Sequence, residues 1–97
     1  MKLSEMNTHQ KVAALLVKEA MSDWIGGLEN TLQDYAPGTE EYENAKSTLE
    51  LGHDWWVQAI YSEVMANSNN PYFKHLRFAG EKFIKELIDK RLTKWGY

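Results

Sequence analysis

Only two prolines interrupt the 97 residues, and each stands in a stretch that stops a helix. Pro37-Gly38 in YAPGTEE and Pro71, which closes the run NSNNP, are the strong breaks, so the chain divides into three long segments. Each segment spaces its apolar residues close to the 3.6-residue period of an α-helix. The pattern predicts an all-α protein, an antiparallel three-helix bundle with helices over residues 8–35, 40–66 and 71–95, forming a single domain over 1–97.

End signals support this division. Asn7 followed by Gln10 is a variant of the capping box, and Thr39 precedes Glu40, Glu41 and Glu43, acids that favour a helix N-terminus. Asn70 is the expected cap of the third helix with Pro71 in its first turn, and Lys90, Arg91 and Lys94 load the far end with the opposite sign. Gly26-Gly27 lies inside the first segment. The stripe Ala13, Val17, Met21, Trp24, Leu28, Leu32 and Tyr35 passes the pair without losing register, so one continuous helix is expected there. The second stripe is Tyr42, Ala45, Leu49, His53, Trp56, Ile60 and Val64. The third is Phe73, Leu76, Gly80, Phe83, Ile84, Leu87, Ile88 and Trp95. Gly52 and Gly80 read as points of close packing inside these helices.

A chain of this length buries roughly 60 to 65% of its unfolded surface, which leaves little room for an internal active-site cavity. The absence of cysteine removes disulfides, thiolate metal sites and thiol nucleophiles, and fits a reducing, cytoplasmic setting. No window approaches the roughly 20 apolar residues of a membrane span, nor does an apolar run of signal-peptide length follow MKLSEMN.

The stretch LELGHDWWVQAIY holds the residues that could carry chemistry. Glu50 and His53 have the spacing by which helical di-iron sites present two ligands, but such sites need a second pair and further inward glutamates, which the sequence does not supply. His53 beside Asp54 has no serine or other nucleophile placed next to it. A metal, a cofactor and a catalytic role are therefore not expected, and His53 reads as a partly buried side chain tied to a polar neighbour.

Charge is split. Residues 1–70 carry 4 basic and 11 acidic side chains, net −7, while residues 71–97 carry 7 and 3, net +4. A basic helix can track nucleic acid or lie against an acidic body. In the third segment Lys74 and Lys85 share a face with Glu81 between them, and pairs such as Glu81 with Lys85 stand at i, i+4 spacing, which suits a self-neutralising surface. Residues 29–54 carry seven acids against one lysine, which keeps open an acidic decoy of a phosphate backbone.

The opening MKLSEMNT, running straight into an apolar helix, resembles the starts of small proteins encoded by phages and prophages of Gram-positive bacteria. That resemblance implies a small accessory protein acting by assembly or by binding a phage or host protein, and it transfers no residue roles.

Helical phase separates the two adjacent tryptophans. Trp56 falls near the buried stripe, whereas Trp55 lies about 140° from its centre, close to Leu51 one turn earlier. In the first helix Val12, Leu15 and Leu16 also lie off the main stripe. Paired exposed apolar residues centred on tryptophan fit the composition of interface hot spots. Leu51, Trp55, Val12, Leu15 and Leu16 are thus the candidate interface of a non-enzymatic protein that binds itself, as a homodimer, or another protein. A nucleic-acid-associated module using the third helix, and the acidic decoy, are the alternatives.

Overall fold

The computed structural model describes residues 5–67 and 70–97, without the side chains of residues 67, 70 and 71. The described residues form five α-helices and no strands: α1 (Thr8–Asp34), α2 (Glu40–Leu49), α3 (His53–Asn67), α4 (Asn70–Ala79) and α5 (Glu81–Trp95). At about 1.5 Å per residue α1 is roughly 40 Å long. It runs most of the 46 Å length of the molecule and packs against each of the other four helices.

The capping box closes the start of α1. The Gln10 amide donates to Asn7 Oδ1 at 2.9 Å, and the Asn7 amide donates to Gln10 Oε1 at 3.0 Å. The helix passes Gly26 and Gly27 unbroken. It ends at Asp34, with Tyr35 extended at its C-cap, two residues before Pro37, whose ring disfavours helical geometry in Ala36. Thr39 then caps α2, accepting from the Tyr42 amide at 3.3 Å, and the Glu43 carboxylate takes the Gly38 amide at 3.1 Å.

The continuous helices expected over 40–66 and 71–95 are each divided by a glycine. Gly52 has φ +111° and Gly80 has φ +90°, values that a helix cannot contain and that glycine alone reaches without strain. A Cβ at either position would meet no atom within 4 Å, so their role is conformational and not the close packing expected from sequence. The cap expected of the Asn70 and Pro71 side chains lies outside the described residues.

The core joins Ala13, Val17, Met21 and Ile25 of α1 with Leu49, Trp56, Ile60, Val64, Leu76, Ile84, Ile88 and Leu92. Four residues assigned to the core stripes lie elsewhere: Trp24, Tyr35, Phe73 and Trp95 are exposed. Ile25 replaces Trp24, one position on, and Leu92 takes the last inward place on α5. Phase counted along one rigid wheel drifts by a residue over seven turns, and it restarts at each glycine bend.

α5 ends in a Schellman-type turn. Gly96 at φ +87° lets its own amide reach Thr93 O at 3.2 Å and the Tyr97 amide reach Leu92 O at 2.9 Å. The turn folds Tyr97 back against the core.

Candidate protein-binding surface

The bend at Gly52 fixes how the neighbouring tryptophans point. Trp56 is fully buried, and its indole donates to the Leu49 carbonyl at 3.4 Å. Trp55 sits edge-on to it, with ring centroids 5.1 Å apart and planes at 87°. Its orientation is thus set by a core ring while 42% of its surface stays open, and Leu51 at the corner is 50% exposed.

Trp24, placed in the core by sequence, is 40% exposed. It stands between two shallow depressions. One, of about 230 Å³, is lined by Leu16, Glu19, Ala20, Asp23, Trp24, Glu63 and Val64. The other is lined by Trp24 with Gly27, Leu28, Thr31 and Thr48, the last one turn before Leu51. Trp55 lies two turns before Glu63 on α3 and lines neither depression.

The five residues expected at an interface separate into groups. Leu51 and Trp55 are exposed at the α2–α3 corner. Leu16 is partly buried against the core, a correction to its expected outward position, and contributes the floor of the first depression. Val12 is half-buried, and Leu15 is the most open of the five at 62%. Neither lines either depression. α4 adds exposed Tyr72, Phe73 and Phe78. Their signal was present in the sequence, but the stripe that absorbed Phe73 assumed a helix running through Gly80.

A second cluster secures the C-terminal end of α5. His53 Nδ1 lies 2.8 Å from the Tyr97 main-chain oxygen, and Nε2 meets the Asp89 carboxylate. Both partners are acceptors, so the arrangement favours the protonated ring, which donates from both nitrogens. The hydrogen bond to Tyr97, then that to Asp89, raises the His53 pKa, against a smaller opposing effect of burial. The Tyr97 hydroxyl donates to Glu29 at 2.8 Å, tying α5 to α1. Burial, followed by this carboxylate, pushes Tyr97 up to about 12. The cluster is a buckle: its polar groups satisfy each other. Glu50 and His53 fall on opposite sides of the Gly52 bend, so their spacing does not place them on one helical face.

The basic segment likewise changes shape. Lys74 and Lys85 stand on different helices, and Lys85 Nζ is 3.1 Å from Glu81 and 5.0 Å above the Tyr61 ring. Among the described residues no helix is long and apolar enough to cross a membrane. No protein-family model, curated protein or solved structure matches the chain.

Proposed function

We propose that the protein is a small non-enzymatic binding or assembly protein, an accessory protein of the phage type its opening residues resemble, and that its first partner is a second copy of itself. In this reading α2–α3 and α4–α5 act as two bent rods beside α1, in an antiparallel three-rod bundle. The contact side carries Trp24, Leu51 and Trp55. The observation that carries the reading is the contrast within one dipeptide: Trp56 is wholly enclosed, while Trp55 is oriented by it yet left uncovered. Oriented tryptophans beside leucine supply large contact area with little side-chain freedom to lose, which is the make-up of interface hot spots.

Light scattering over a range of concentrations tests it. The parent is expected to exceed the 11.3 kDa of one chain as concentration rises, and Trp55→Glu to stay at that mass with its helical signal intact. An apolar contact should respond little to salt, whereas phosphate binding by α4 and α5 would weaken steeply between low and physiological ionic strength. A parent that stays monomeric at high concentration but retains DNA or RNA in a salt-sensitive manner would overturn the reading.

A further inference from the structure

His9, in the first turn of α1, and His75, in α4, stand 66 positions apart in sequence and meet with their Nδ1 atoms 2.9 Å from each other. Their ring centroids are 5.0 Å apart with planes at 42°. Phe78 stacks on His9 at 5.0 Å and 29°. Each ring is carried by anchored backbone: the Asn7–Gln10 capping box fixes the turn that bears His9, and Leu76, beside His75, is buried.

Two imidazole nitrogens this close can share one hydrogen bond, with one ring donating to the lone pair of the other. They can also direct both lone pairs at one metal ion. Neutral imidazole is a preferred ligand of zinc, nickel and copper. Metal–nitrogen bonds of about 2.0–2.1 Å place two such nitrogens about 2.9 Å apart at a right angle and about 3.4 Å apart at the tetrahedral angle. The observed separation is within about half an ångström of these values, and admitting an ion also requires the two rings to turn so that both lone pairs leave the line between the nitrogens.

We propose that His9 and His75 form a divalent transition-metal site, of the imidazole-preferring class Ni²⁺, Cu²⁺ and Zn²⁺, that binds through both Nδ1 atoms and clamps α4 to α1. On binding, the donating ring shifts its proton from Nδ1 to Nε2, so two neutral rings coordinate without net proton release. Among the described residues no three His, Cys, Asp or Glu side chains converge on one point, so water completes the coordination. The site is accordingly exchangeable, and not a closed structural zinc centre. Because it joins residues far apart in the chain, the ion stabilises the folded state by mass action.

Titration of the full chain with Ni²⁺, followed by calorimetry and thermal melting, tests the site. The expected result is one ion per chain and a melting temperature that rises with Ni²⁺ and not with Mg²⁺. His9→Asn and His75→Asn keep an amide close to the position of Nδ1, so they can preserve the hydrogen bond while removing the ligand. Each should weaken Ni²⁺ binding at least about tenfold, the loss seen even for outer-shell partners of metal ligands. His53→Asn should leave the affinity unchanged. Binding within twofold of the parent in both Asn variants, or loss in His53→Asn, would overturn the proposal. Electron paramagnetic resonance of the unmodified chain loaded with one equivalent of Cu²⁺ needs no folded variant: coupling to two imidazole nitrogens is expected, and coupling to one or none refutes the site.

Discussion

The indole of Trp56 donates to the carbonyl of Leu49 across the bend at Gly52, so the largest core side chain also satisfies a carbonyl at the C-terminal end of α2. One residue thereby joins packing to the geometry of the corner. Truncation in Trp56→Ala should cost about 3–5 kcal/mol, a large part of the 5–15 kcal/mol typical of a whole domain. Trp56→Phe should cost less, since it keeps most of the ring and loses the donor. Urea unfolding checks both, and an Ala variant within about 1 kcal/mol of the parent would remove Trp56 from the core.

The glycines should respond with opposite signs. Gly27 is helical, exposed and open around its missing Cβ, so Gly27→Ala should stabilise by up to about 1 kcal/mol. Gly52, also open, has φ +111°, so Gly52→Ala should destabilise by about 1–2 kcal/mol through the backbone alone. Denaturant midpoints of the two variants that move in the same direction would contradict the division between α2 and α3.

That contrast also explains what the sequence could and could not convey. Gly26-Gly27 and Gly52 both sit inside unbroken apolar stripes, and a stripe reports which side is buried, not whether φ turns positive between two helices that continue along the same core. Leu49, His53 and Trp56 keep helical spacing across the bend, which concealed it. Local signals were legible: the Asn7–Gln10 box, the Thr39 cap and the opposite placement of Trp55 and Trp56 depend on neighbours within a turn. The tie of His53 to Asp89 and Tyr97, the reach of Tyr97 to Glu29 and the meeting of His9 with His75 join distant positions, and no spacing rule announces them. Trp24 was missed because a one-residue drift in phase exchanged it with Ile25.

His53 should make stability depend on pH in a definite direction. Its folded pKa is raised above the ordinary 6.5 by the Tyr97 oxygen and Asp89, so the folded state holds the proton more tightly. The contribution is fully present below 6.5 and is lost as pH rises through the folded value. The urea midpoint of the parent should therefore fall relative to that of His53→Gln as pH is raised from below 6.5. A difference that stays constant across this range, or grows with pH, would contradict the tie of protonated His53 to Asp89 and Tyr97.

Tyr97 gives a spectroscopic readout of the same end. Its hydroxyl should ionise near 12, after tyrosines with the ordinary value near 10, because burial and the Glu29 carboxylate both oppose a phenolate. The sign parallels that of His53: a raised folded value means stability present below 10 and lost as pH climbs toward 12. Glu29→Gln removes the negative neighbour but not the burial, and ultraviolet titration should place its late phase below that of the parent. Identical late phases would separate Tyr97 from Glu29.

The tryptophans themselves can report the association surface. Trp56 has no exposed surface, whereas Trp24 and Trp55 are open in a single chain. Trp95, also exposed at the end of α5, can be silenced as Trp95→Phe. In that background a small polar quencher should reach Trp24 and Trp55 in dilute protein, and quenching should decline as concentration rises and a second chain covers them. Adding Trp55→Glu should abolish the concentration dependence, because a carboxylate forced into a dry contact must be desolvated without a partner. Leu15→Glu lies outside both depressions and should leave the dependence intact. If Leu15→Glu abolishes it and Trp55→Glu does not, the contact is centred on the outer face of α1; if the parent itself shows no dependence, the open tryptophans await a partner other than this chain.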